Sequence, residues 1–303
     1  MNLGLSKNKR KFDEDKAFPH IMLAPTIIVM LVMTVYPIIF TVYYSFTDYN
    51  LLKAAKKGFN WIGFDNFTKL FQNAVFRTAI LNTVKFTLLA VLAETLIGML
   101  IALFVNSLHR GQKVMRTLLL LPYLLPTVTV ALAWRMLLSS NYGPVNQWLV
   151  DLGFGSMANY NWFYHMETAF WAVWVIDVWQ NVPFVFLLLY ASLQGVPTQQ
   201  YEAAELDGAN IFQKFFYVTF PNIRSSVFLC LLLRTIDTFR LFDKVNILTQ
   251  GGPVNTTTTI TQYLYAFGIK TLNFGFGSAG ALVMTILVLL LAIPYIRTAI
   301  SSK

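Results

Sequence analysis

The chain has 303 residues, 56% of them hydrophobic and 12% charged. Soluble domains carry about 25% charged residues, so this composition excludes an ordinary soluble domain and marks an integral membrane protein. The formal net charge is +9, but no RNP, zinc-finger or helix-turn-helix signature accompanies it, and nucleic acid is excluded as a partner.

The first sixteen residues hold Lys7, Lys9, Arg10, Lys11 and Lys16, and a long apolar segment follows without a small-residue cleavage site. This is the pattern of an uncleaved first transmembrane helix. Residues 1–19 are expected to form a cytoplasmic segment. Residues 20–303 are expected to form one transmembrane domain with its core at about 78–297.

Six apolar runs approach the roughly 20 residues needed to cross a bilayer. They are predicted at about His20–Phe46, Thr78–Asn106, Thr117–Leu138, Ala169–Leu193, Ser225–Leu248 and Gly277–Arg297. Pro25 and Pro37 are expected kinks in the first. Between the first two, Trp61 to Phe67 reads as a compact turn with aromatic interfacial anchors. Between the third and fourth, Gln147 to Val150 reads as a short amphipathic segment.

Loop charges orient the spans. With the N-terminus inside, the inner segments hold twelve Lys and Arg: Lys7, Lys9, Arg10, Lys11, Lys16, Arg110, Lys113, Arg116, Lys214, Arg224, Arg297 and Lys303. The outer segments hold fewer, among them Lys53, Lys56, Lys57, Lys69 and Lys270. Both termini are therefore expected in the cytoplasm.

The stretch between the fourth and fifth spans, residues 197–221, carries most information. Pro197 suits the first turn of a helix. Glu202 and Glu205 are expected near its N-terminus, where the dipole favours carboxylates. Ala203 and Ala204 are small enough for close approach to a partner, and Gly208 permits the left-handed residue that ends a helix. Asp207 and Ala209 flank that glycine. Ile211, Phe212, Phe215 and Phe216 give a second short helix an apolar face, and Pro221 is expected to prevent simple continuation into the fifth span. A second signal, Leu248-Thr249-Gln250-Gly251-Gly252-Pro253, is a sharp turn that ends a helix.

The Glu202-Ala203-Ala204…Gly208…Val218-Thr219-Phe220-Pro221 spacing resembles the EAA loop in membrane subunits of ATP-binding-cassette importers. Val218 and Phe220 replace the usual isoleucine and leucine. The Gly251-Gly252-Pro253 turn resembles the maltose-type and glycerol-phosphate-type carbohydrate permeases, as do Leu121 to Pro126, Trp179 to Phe184 and Tyr201 to Ala209. The resemblance covers about residues 20 to 297.

It implies an all-α membrane protein, with the six transmembrane helices of the type I importer fold and a cytoplasmic coupling helix. It implies further that Glu202, Ala203, Ala204, Asp207, Gly208, Ala209 and Pro221 couple to a separate ATPase. The implied partners are a second, related permease subunit in a heterodimer, an ATPase dimer, an extracytoplasmic sugar-binding protein and a carbohydrate. The implied place is the cytoplasmic membrane. ATP and magnesium would be used by the ATPase, with no cofactor on this chain. An importer for another solute and a stand-alone secondary transporter are the alternatives.

Charges inside the spans are costly unless paired or facing water. Lys85, Glu94, Arg135, Asp177, Arg234, Asp237, Arg240, Asp243 and Lys244 fall in or near them. Arg234, Asp237, Arg240 and Asp243 repeat every three residues with alternating sign, a spacing that allows pairing on one helix face. They read either as part of a solute path or as interhelical ion pairs.

Sugars are bound by aromatic faces and planar hydrogen-bonding groups, which the fourth span offers around Pro183, an expected helix break. Carried over from maltose-type permeases, the resemblance implies a substrate path at Trp179, Gln180, Asn181, Phe184, Arg234, Asp237 and Thr238. The charged Arg234 and Asp237 suit either a charged substrate or a salt bridge.

Enzyme signals are missing or misplaced. No Gly-x-x-x-x-Gly-Lys-Ser/Thr loop or Gly-x-Ser-x-Gly elbow occurs. Gly275 to Gly280 matches a dinucleotide fingerprint but precedes a membrane helix rather than following a strand. His20, His109 and His165 lack metal-ligand spacing. Cys230, the single cysteine, reads as an inert buried thiol.

Overall fold

The structure, a computed structural model, describes residues 14–301. The basic cluster at Lys7 to Lys11 and the C-terminal Lys303 lie outside the described residues. Among the described residues, helices dominate and the only β pairing is one bridge between Thr47 and Trp61.

The first span is α1 (Glu14–Ser45), continuous through Pro25 and Pro37. Short helices α2 (Leu51–Lys57) and α3 (Asp65–Gln72) lead to the second span, α4 (Ala74–Ser107). Asn66, in the first turn of α3, is buried, and its amide donates to the carbonyls of Ser45 and Thr47 at the end of α1. Trp61 stacks on Phe46 with ring centroids 5.3 Å apart.

The third span is not one helix. It divides into α5 (Gln112–Leu124) and α6 (Thr127–Leu137), bent by 90°. The cause is local: the ring of Pro126 disfavours helical geometry at the residue before it, and Leu125 is extended at φ −76° and ψ 137°.

After α7 (Pro144–Asp151), the fourth span is α8 (Met166–Leu193). It runs unbroken through the buried Pro183, so the break expected there does not occur. The helix is packed on α4, and Gly98 sets the approach. A Cβ there would lie 2.6 Å from Val185 Cγ1.

Two short helices, α9 (Thr198–Leu206) and α10 (Ile211–Lys214), lead through a π-helical turn at Phe215–Thr219 into α11 (Phe220–Phe239). Pro221 therefore does not stop the helix. It sits in the first turn of α11, immediately after the wide turn, where Phe220 N–H bonds to Phe215 O, five residues back. That wider turn relieves the clash that a proline imposes on the carbonyl four residues before it.

The fifth span also breaks, at residues 240–242, before α12 (Asp243–Leu248). The chain ends with α13 (Ile260–Leu264), a second π turn at Tyr265–Ile269 and the sixth span, α14 (Phe274–Ser301). Five helical segments are long and apolar enough to cross a membrane, and the bent α5–α6 pair raises the number to six.

Three buried clusters hold these elements together. One joins α4, α6, α8 and α12 through residues such as Phe86, Val130, Ile176 and Val245. Another joins α4, α8 and α11 through Ala102, Phe186 and Ile223. The third joins α3, α4, α13 and α14 through Leu70, Phe76, Tyr263 and Ala279. The glycines of Gly275 to Gly280 serve packing: a Cβ on Gly275 would overlap the backbone carbonyl of Thr47, and one on Gly280 the side chain of Leu264.

Candidate functional site

Two regions concentrate the polar chemistry: a charged cavity inside the bundle and the α9–α10 loop.

The cavity is about 220 Å³ and lies where three helix features meet. Tyr123 and Thr127 come from the α5–α6 break, Asp177 and Asn181 from α8, and Arg234, Asp237 and Thr238 from the end of α11. Residues 240–244, at the break in the fifth span, complete it. Broken helices are tolerated at membrane depth where they line a polar cavity.

Its charges are paired in depth. Arg234 donates from Nε to Glu94 Oε2 at 2.7 Å and from Nη2 to Glu94 Oε1 at 3.2 Å, with both residues buried. Lys244 Nζ donates to Asp177 Oδ1 at 2.5 Å, again with both buried. Nearer the opening, Asp237 is half exposed and accepts from Arg240 at 3.1 Å, while Arg234 Nη1 is 3.7 Å away. Pairing at three-residue spacing thus occurs as the sequence suggested. However, α11 ends at Phe239, so Arg240 and Asp243 do not continue one helix face.

The expected path residues divide. Asn181, Arg234, Asp237 and Thr238 line the cavity. Trp179 instead meets Trp134 edge-on at 5.5 Å. Gln180 is buried and donates to the Leu125 carbonyl at 3.0 Å, one of the carbonyls beside the α5–α6 break. Phe184 packs beside Tyr123. Sequence reasoning left Tyr123, Thr127 and Phe242 out of the path. It also left out Asp177, Arg240, Asp243 and Lys244, although intramembrane charge had singled out all four.

In the loop, Pro197 is the N-cap of α9 rather than its first helical residue. Glu202 and Glu205 lie beyond the first turn. Glu205 sits in the last turn, where the dipole disfavours it, and Lys214 pairs with it at 2.7 Å. Helix α9 ends in a Schellman motif. Ala209 N–H bonds to Ala204 O, Gly208 N–H bonds to Glu205 O, and Gly208 is left-handed at φ +75°. Asn210 and Gln213 then form a capping box on α10.

Two bonds tie the loop to the fifth span. The Tyr201 hydroxyl lies 3.0 Å from Thr219 Oγ1, and Asn222 donates to the Gln200 side chain. Ala203, Asp207 and Gly208 are exposed, as are Leu206, Ile211, Phe212 and Tyr217. The apolar face expected on the second helix is thus largely uncovered, with only Phe215 turned into the core.

At the Gly251-Gly252-Pro253 turn, Thr249 follows the end of α12 and its hydroxyl lies 2.7 Å from that of Thr257. Gly251 has φ +90°, and a Cβ there would lie 2.5 Å from Thr258 Oγ1. Gly252 O accepts from Thr257 Oγ1 at 2.7 Å. Among the described residues, no group of three His, Cys, Asp or Glu is arranged to hold a metal ion.

Residues 94–299 match the family of binding-protein-dependent transport system inner membrane components. The chain belongs to this family. It is a multi-pass membrane protein and an importer permease subunit. It is 34% identical over 291 residues to the trehalose/maltose transport system permease protein MalF of Thermococcus litoralis, covering 96% of each chain. It is 34% identical over 283 residues to the sulfoquinovosyl glycerol transport system permease protein SmoG of Agrobacterium fabrum, covering 93% of this chain and 90% of that one. The permease also shares its fold with a chain of a bacterial ABC transporter involved in alginate import. That match has TM-score 0.81 and 24% identity, covering 94% of this chain and 96% of the other.

Proposed function

We propose that this permease forms half of the transmembrane pathway of an ATP-driven carbohydrate importer. Both termini lie in the cytoplasm, and a second, related permease completes the pathway. An ATPase dimer hydrolyses ATP with magnesium beneath it, and an extracytoplasmic binding protein delivers the sugar. The permease itself holds no nucleotide.

The observation that carries this reading is the loop from Thr198 to Lys214. A helix closed by a left-handed glycine presents exposed Leu206, Ile211 and Phe212 around the turn that leads into the fifth span. A contiguous exposed apolar patch on such a loop marks a protein partner. The names of the relatives, with their trehalose, maltose and sulfoquinovosyl glycerol, support the carbohydrate class. A periplasmic protein bound to alginate pentasaccharide accompanies the related importer in a second structure, which supports the binding protein.

Closure of the ATPases moves α9 and α10 as one lever, because Tyr201 and Gln200 join them to α11 at Thr219 and Asn222. The cavity around Asn181 and Asp237 then passes from one side of the membrane to the other, an alternating-access switch. The paired charges around it contribute fixed polar contacts for hydroxyl groups.

Co-purification from mild detergent tests the assembly. A Walker-type ATPase, a related permease and a sugar-binding protein are expected with the tagged chain. A chain that purifies alone and transports on an ion gradient without ATP overturns the reading. Gly208→Pro and Glu202→Lys are expected to abolish ATP-coupled uptake with the chain still in the membrane. Normal uptake in both overturns the coupling role.

A further inference from the structure

We propose that the first third of α4 holds an anionic phospholipid, with the Lys85 ammonium on its phosphate. This rests on membership of the membrane family and is independent of the solute.

One face of α4 is left uncovered by the rest of the chain. Arg77, Leu81, Lys85, Leu88, Leu92 and Leu96 are exposed and recur at three- or four-residue steps. The opposite face is different: Ala79, Ala90, Gly98 and Ala102 are buried against neighbouring helices. Helix contacts in membranes select small residues for close approach. A stripe of leucines, between 52% and 70% exposed at positions 81, 88, 92 and 96, therefore faces acyl chains rather than another helix.

Lys85 sits inside that stripe. Among the described residues it makes no ion pair. Its ammonium lies 4.7 Å from the Phe170 ring centroid and 5.9 Å from that of the half-exposed Trp171 on α8. Glu167, one turn before Trp171, makes no ion pair with it. Attraction to these two rings, the buried Phe170 and the half-exposed Trp171, is weaker than the penalty for a lysine surrounded by hydrocarbon. The charge must therefore meet an anion or the headgroup layer.

Its depth suits the headgroup. Helix α4 has 34 residues, about 51 Å at 1.5 Å per residue, roughly 20 Å more than a hydrocarbon core. Sharing the excess between the two ends puts the boundary near Leu81 and Lys85 one turn inside it. A lysine stem spans that distance. Arg77, two turns nearer the helix start on the same face, adds a second cation. Leu88 and Leu92 with Val175 of α8, also exposed, continue below as an apolar track for the chains.

The test uses the full chain reconstituted in vesicles of phosphatidylglycerol and phosphatidylcholine, extracted in mild detergent, with retained lipid measured by mass spectrometry. Wild type should retain phosphatidylglycerol in preference to phosphatidylcholine. Lys85→Gln should retain about fivefold less, the effect of one basic residue at an anionic surface, with an unchanged unfolding midpoint in lipid-free detergent. Lys85→Arg should retain it. Equal retention by wild type and Lys85→Gln overturns the proposal, as does displacement of the lipid by inorganic phosphate. Photo-crosslinking from a benzophenone placed at position 85 to the second permease, in the co-purified complex, would assign the stripe to protein and overturn it also.

Discussion

Arg234 of α11 holds both carboxylate oxygens of Glu94 on α4, at 2.7 and 3.2 Å, across 140 residues of sequence. Breaking a buried pair by removing one partner leaves an uncompensated charge and costs about 3–5 kcal/mol, whereas apolar replacement of both is close to neutral. Glu94→Met and Arg234→Met should each lower the unfolding midpoint of the detergent-purified protein strongly. The double substitution should recover most of the loss. Single variants that unfold like wild type would show that the pair is not buried in the native membrane.

Asp237 differs because its side chain is 51% exposed and faces the cavity. Exposed ion pairs contribute about 0–1 kcal/mol. Asp237→Asn should therefore leave the unfolding midpoint nearly unchanged while altering the apparent affinity for transported sugar in proteoliposomes. A lowered midpoint with unchanged transport kinetics would make its role structural.

Gly98 brings α4 against α8, where a Cβ would lie 2.6 Å from Val185 Cγ1 and 3.0 Å from Phe186 N. Neither neighbour is a flexible side-chain tip. Gly98→Ala should destabilise by about 1–3 kcal/mol through overpacking, seen as reduced thermal stability. Gly153→Ala, where a Cβ meets open space but the residue is left-handed at φ +98°, isolates backbone strain as a comparison.

Gly208 is left-handed at φ +75°, with open space where a Cβ would lie, so alanine there adds strain without a clash. The cost is about 1–2 kcal/mol. Hydrogen exchange at the Gly208 and Ala209 amides should accelerate roughly five- to thirtyfold. Gly208→Asn should change it less, because asparagine tolerates this conformation. Unchanged exchange in Gly208→Ala would mean that the Schellman motif is not the closing element of α9.

Tyr201→Phe removes one hydroxyl, the partner of Thr219 at the π turn. A hydrogen bond of this kind contributes about 1 kcal/mol. Protein level and ATPase binding should be retained, and sugar moved per ATP hydrolysed should fall. An unchanged ratio would show that force passes to α11 by another contact, with Asn222 and Gln200 the next to vary.

The loop was the most legible part of the functional region. Glycine at a left-handed position, small residues on one helix and aromatics on the next follow local rules that need only a few neighbouring residues. The same local rules misjudged the prolines. Pro126 breaks its span because Leu125 turns extended beside it, while Pro183 and Pro221 lie within continuous helical paths. For Pro221 the preceding π turn relieves the clash, and that turn is not written in the hydrogen-bonding capacity of any single residue. The cavity was legible in part. Intramembrane charge pointed to Asp177, Arg234, Asp237 and Lys244, but aromatic composition pointed to Trp179, which packs on Trp134 instead.

By itself the sequence determined that this is a helical membrane protein with six apolar segments and a structured loop between the fourth and fifth. Hydrophobic runs of bilayer length and turn residues at fixed spacing act locally, so they can be read without knowing the fold. Only the tertiary structure decided which charges meet. Glu94 pairs with Arg234 and Asp177 with Lys244, across 140 and 67 residues. In each case burial makes an unpaired charge costly, and helix packing fixes which partner is near enough to meet that cost.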